Sequence, residues 1–82
     1  MTTKGRILVT IRSFDGRRMD EIRVKAGLSI EDVVTGMRLQ GHHSFSRTHF
    51  NQYRNNEHEP GFSTAYSLSK ILKCRLEDFV SD

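Results

Sequence analysis

The sequence predicts a small, mainly α-helical domain with one added N-terminal β-strand. Three observations carry this. The chain has 82 residues, enough for one compact domain. Its apolar residues fall mostly at helical spacing behind short polar residues that can cap helix starts. One segment alone, residues 6–14 (RILVTIRSF), alternates with period two and is rich in β-branched side chains.

The elements follow in order. In residues 6–14, Ile7, Val9 and Ile11 share one face of a strand. Asp15-Gly16 is a turn dipeptide. Met19, Ile22 and Ala26 then stand at i, i+3 and i+7, so a helix is expected over residues 17–26, with Gly27 ending it. A β-hairpin returning through Val24 is the competing reading. Ser29 caps the second helix, with Glu31 and Asp32 in its positive first turn and Val33, Val34 and Met37 on its inner face. Residues 38–44 (RLQGHHS) carry little pattern. Ser46 caps a third helix, Arg47–Arg54, with Phe50 and Tyr53 inward and Phe45 placed as a hydrophobic staple. Asn55-Asn56 ends it, and Pro60-Gly61 punctuates the loop that follows. Ser63 caps a fourth helix with Ala65, Leu68, Ile71 and Leu72 inward, and a short fifth helix covers residues 76–80.

Composition narrows the function. The hydrophobic fraction is 35%, a lean core for this length. Thirteen Lys/Arg against ten Asp/Glu leave a charge of +3. Residues 1–28 hold seven basic and three acidic groups, so the positive excess is N-terminal. A single cysteine excludes an internal disulfide and favours a reducing compartment. Neither a membrane span nor a signal peptide is evident, and a cytoplasmic protein is expected.

Catalytic motifs are missing: there is no GxSxG, HExxH, Walker loop or GxGxxG. We therefore expect neither an enzyme nor a cofactor. Cys74, between Leu72 and Leu76, reads as packing rather than as a reactive thiol. The histidines His42, His43, His49 and His58 lack metal-like spacing to a cysteine or carboxylate, so no metal is expected.

The informative stretch is residues 45–60 (FSRTHFNQYRNNEHEP). A capped helix there presents Arg47, Thr48, Asn51 and Gln52 away from Phe50 and Tyr53. Arg pairs with guanine, and Asn or Gln with adenine, through two hydrogen bonds each, and a single helix fits the major groove. An ordinary solvated helix face is the alternative reading.

Residues 17–80 resemble the Cro/CI-type (XRE) helix-turn-helix family of phage and bacterial regulators. Met19, Ile22, Arg23, Gly27, Leu28 and Ser29 resemble its first helix and the opening of its second. Phe45, Ser46, Arg47, Thr48, Phe50, Tyr53 and Pro60 resemble its recognition helix and following loop. Thr64, Leu68, Leu72, Leu76, Asp78 and Phe79 match its last two helices in spacing. The resemblance implies a five-helix helix-turn-helix domain over residues 17–82, with residues 1–16 as a strand or arm. It implies double-stranded DNA as partner and a regulator, most simply a dimeric repressor acting by occlusion. Arg47, Thr48, Gln52 and Asn51 would read bases. Ser29, Ser46, Arg54, Asn55 and Asn56 would hold phosphates, the backbone N–H groups near Asn55 and Asn56 taking part.

Departures from the family pattern are visible. Residues 38–44 insert about six positions where the family turn is tight. Ile30 replaces a polar residue. Arg54 stands where a Glu commonly pairs with the first-helix arginine, which leaves Arg23 and Arg54 to face phosphate. Asn56 and Lys73 replace glycines, and Lys73 would be strained in a left-handed cap. With residues 17–26 helical, the strand has no partner in its own chain. We therefore expect it to pair with a second copy through Ile7, Val9 and Ile11, a basic arm entering a minor groove being the alternative. An antitoxin or inhibitor that uses the same fold to bind a toxin or other protein is the competing function.

Overall fold

The structure, a computed structural model, describes residues 13–81. It is mainly helical. β1 (Ser13–Phe14) leads into α1 (Gly16–Lys25), α2 (Ile30–Leu39), α3 (Arg47–Arg54) and α4 (Phe62–Leu72). A 3-10 helix (Leu76–Phe79) and β2 (Val80–Ser81) close the chain.

The Asp15-Gly16 pair is not a hairpin turn. The Asp15 carboxylate accepts the N–H groups of Arg17 (3.0 Å) and Arg18 (3.3 Å) and starts α1, one residue earlier than expected. Gly16 lies directly on α3: a Cβ there would stand 2.8 Å from the Arg54 carbonyl oxygen and inside the radius of the Tyr53 carbonyl oxygen. Its N–H is taken by the Asn56 side chain at 2.8 Å. The N-terminus of α1 and the C-terminus of α3 are thus locked together, with a cap borrowed across 40 residues.

Two expectations are corrected at the chain ends. The described end of the expected strand has a partner in its own chain: β1 pairs antiparallel with β2, Ser13 opposite Ser81 and Phe14 opposite Val80. Asp15 N–H adds a bond to the Phe79 carbonyl at 2.6 Å. Residues 6–12, with Ile7, Val9 and Ile11, lie outside the described residues. The expected fifth helix over 76–80 is one 3-10 turn, Leu76–Phe79, whose start is capped when Arg75 N–H donates to Asp78 at 2.9 Å. Val80 leaves it extended because β1 offers it a ladder.

The stretch at 38–44 resolves into a longer helix and a tied turn. α2 runs to Leu39, and Gly41 (φ 102°) ends it. Arg38 Nε donates to the Phe45 carbonyl at 2.9 Å, and His42 Nε2 meets Ser67 Oγ of α4 at 2.9 Å. The link between α2 and α3 is therefore held on both sides. α4 begins before its expected cap: Phe62 is its first residue, Gly61 the cap, and Ser63 lies inside the helix.

All four described α-helices end with the same device. A left-handed residue follows the helix, at Gly27 (φ 75°), Gly41, Asn56 (φ 60°) and Lys73 (φ 57°). Its N–H and the next one return to the last carbonyls, as in Leu28 N–H to Arg23 O (3.3 Å) and Cys74 N–H to Ser69 O (2.9 Å). Lys73 carries the strain expected of it. Lys73→Gly should raise stability by about 0.5–1 kcal/mol, the steric relief being partly offset by a freer unfolded chain. Urea denaturation at low protein concentration checks this, and no gain would contradict the left-handed cap.

The core joins Met19 of α1, Val33, Val34 and Met37 of α2, Phe45 and Phe50 around α3, Leu68 and Leu72 of α4, and Phe79. Phe45 and Phe50 are both buried, as a staple across the start of α3 requires. Ala26 is exposed, because α1 ends at Lys25 and turns away. Phe14 meets Tyr53 and Phe79 edge-on, with ring centroids 6.4 and 5.9 Å apart, and seals the end where the strands meet.

Candidate nucleic-acid interface

The two faces of α3 differ sharply. Phe50 is wholly buried, and Tyr53 packs partly against the core, where burial raises its phenol above the ordinary value. Arg47 and Thr48 are exposed, while Asn51 and Gln52 are half-buried. The four residues expected to read bases do lie together on the outer side, but two have partners within the chain.

Arg47 is one. Its Nε donates to Glu31 Oε2 at 3.0 Å, and its Nη2 reaches the same oxygen. The starts of α2 and α3 are therefore adjacent, and the candidate base reader is paired with a carboxylate that the sequence reading placed only as a dipole partner. Both side chains are more than half exposed, so the pair holds Arg47 weakly.

Asn51 is the other. Its Oδ1 accepts from Arg54 Nη2 at 2.7 Å. Arg54 also lies 4.0 Å from Asp20, whose carboxylate accepts Arg23 Nε at 2.9 Å. Arg23 Nη1 donates to the Leu28 carbonyl at 2.8 Å, and its guanidinium lies over the Phe50 ring at 5.8 Å. Arg23 and Arg54, expected to face phosphate, thus have a carboxylate beside them inside the fold. Asp20 stands between them and supplies the negative charge that Arg54 itself does not.

The other expected phosphate contacts are also engaged inside the fold. Ser29 N–H donates to Asp32 at 2.9 Å, and Asp32 N–H donates to Ser29 Oγ at 3.0 Å. The Ser29 hydrogen bonds hold the Asp32 carboxyl below its ordinary range, the backbone N–H being the larger cause. With Glu31 beside it, the start of α2 is already occupied by negative charge, which opposes a phosphate there. Ser46 N–H donates to His49 Nδ1 at 3.2 Å, with Ser46 Oγ 3.0 Å from the same nitrogen. His49 in turn stacks on Phe45. The N–H groups of Asn55 and Asn56 bond Asn51 O (3.0 Å) and Tyr53 O (3.1 Å), so they are not open donors.

Charge follows the same division. Residues 13–81 hold ten basic and nine acidic side chains, while Lys4, Arg6 and Arg12 lie in residues 1–12.

Among the described residues no group of three His, Cys, Asp or Glu is placed to hold a metal. Cys74 packs against the core, and burial, then the Asp78 charge, push its thiol up. Such a thiol is a poor nucleophile near neutrality. No described helix is long and apolar enough to cross a membrane. No family model, curated protein or solved structure matches the chain.

Proposed function

We propose that the chain is a small sequence-specific regulator of double-stranded DNA that acts in the cytoplasm as a dimeric repressor. In this reading α2 and α3 are the two helices of a helix-turn-helix, and α1, α4 and the 3-10 helix complete the five. α3 enters the major groove. The observation that carries the reading is the amphipathic build of α3: Phe50 anchors one side, while Arg47, Thr48, Asn51 and Gln52 share the other. Arg47 and Thr48 are the foremost base readers, being exposed at the helix start. To bind guanine, Arg47 turns from Glu31, a small loss because the pair is solvated.

A second reading is favoured by a specific observation. The near-neutral charge of residues 13–81 and the two carboxylates opening α2 suit a protein partner, as in an antitoxin or inhibitor.

Selection of bound duplexes from a random pool separates the two. The DNA reading predicts an enriched inverted repeat. It also predicts that Arg47→Ala loses about 1–3 kcal/mol on the enriched site and relaxes one base position, and that Gln52→Ala relaxes a neighbouring one. A folded protein that enriches nothing favours the protein partner. Enrichment that Arg47→Ala leaves unchanged removes α3 as the reading helix.

A further inference from the structure

The Asn51 side chain on the outer side of α3 is held by a cation. Arg54 Nη2 donates to Asn51 Oδ1 at 2.7 Å. The two ends of an asparagine amide have nearly the same shape, so chemistry decides which of them faces a neighbour. A guanidinium has donors and no acceptor, so it can meet only the oxygen. The amide is therefore fixed in one of its two flips. Its NH2 group makes no hydrogen bond among the described residues.

The guanidinium is held in turn. The Arg54 side chain is 34% exposed, and its Nη1 lies 4.0 Å from Asp20, itself 24% exposed. Asp20 accepts Arg23 Nε at 2.9 Å. Arg23 is fixed by the Leu28 carbonyl and lies over the Phe50 ring. A line of contacts thus runs from the core to the outer side of α3 and ends on the Asn51 amide. Arg47 and Glu31, by contrast, are each more than half exposed.

We propose that Arg54 is a positioning residue that makes Asn51 select guanine. This rests on the reading of α3 as the helix in the major groove. A free asparagine suits adenine because its oxygen accepts from the N6 amino group while its nitrogen donates to N7. Here a cation already engages the oxygen in a charge-assisted bond. The same positive charge opposes the amino hydrogens of adenine and cytosine. The NH2 group remains, and it only donates. On the major-groove edge guanine offers it two acceptors, N7 and O6, whereas adenine and thymine offer one each and cytosine none. Arg54 therefore acts on a base through Asn51, with no phosphate contact of its own.

Two measurements test this, one of them free of DNA. In the free protein, NMR relaxation should show the Asn51 side-chain NH2 ordered on the nanosecond scale, and mobile in Arg54→Met. A mobile amide in the unaltered chain, or one indifferent to Arg54→Met, overturns the inference and leaves the DNA reading standing. Selection from a random duplex pool is the second measurement. Asn51→Ala should flatten the preference at one position of the enriched site. In the unaltered chain that position should be guanine, preferred about tenfold over adenine. Arg54→Met should bring adenine to parity at that position alone, with the salt dependence of binding unchanged. Added to Asn51→Ala, it should change nothing further there. Arg54→Gln can accept as well as donate, so it no longer dictates the flip. It should give the same result, and it covers the case of an unstable Arg54→Met chain. Adenine at the Asn51 position overturns the inference. So does an Arg54 variant that binds all sequences more weakly with a salt slope lower by about one, the mark of a phosphate contact. A pool that enriches nothing while the amide is ordered removes the DNA reading, and the guanine preference with it.

Discussion

Gly16→Ala is expected to lower stability by about 3 kcal/mol, at the upper end for overpacking. The added methyl would overlap the Tyr53 carbonyl oxygen and stand 2.8 Å from that of Arg54. Both are backbone atoms at the end of α3, so no rotamer change relieves the contact. The helices must move apart, and that separation also breaks the bond from Gly16 N–H to Asn56. For a domain of this size the loss corresponds to a fall in melting temperature of roughly 15 °C. Gly61→Ala is the control, since a methyl there meets nothing within 4 Å and the backbone is not left-handed. Thermal and urea denaturation of the two variants give the comparison. A Gly16→Ala chain within 1 kcal/mol of the original would contradict the close approach of α1 to α3.

Phe50→Ala is expected to lose about 3–5 kcal/mol. Phe50 is among the largest fully buried side chains, on the helix that packs against both α1 and α2. Its removal leaves a cavity and takes away the ring beneath the Arg23 guanidinium. Thr48→Ala, two residues earlier on the exposed side, should change stability by less than about 0.5 kcal/mol. The contrast separates the two faces of α3. A loss of DNA binding in the first variant would reflect unfolding, while a loss in the second would reflect contact. Denaturant midpoints measured alongside binding distinguish these. Equal stability of the two variants would place Phe50 outside the core.

What the sequence reveals well is local. Ser29 with Asp32, Ser46 ahead of Arg47, Gly27 after Lys25 and the strained Lys73 each act within about four residues, so spacing exposes them. The inner face of α2 was equally plain, because Val33, Val34 and Met37 lie on one side at helical period. The candidate site was legible only as a set of residue types on one helix. Their availability was not, because availability depends on neighbours contributed by other elements.

Thus the sequence by itself determined the helical class, the order of the four described α-helices, the start of α2 and both limits of α3. Propensity, capping and periodicity are properties of short stretches, and here they agree with one another. Tertiary structure alone decided the rest. It paired Phe14 with Val80, 66 positions apart. It turned Asp15-Gly16 from a turn into a cap and a point of helix contact. It assigned Asn56 to α1, placed Asp20 between Arg23 and Arg54, and set Glu31 against Arg47. Each of these joins groups too far apart in the chain for any local pattern to register. They form only because burying the core brings the helix ends together, where unpaired N–H groups and charges take the nearest partner the packing offers.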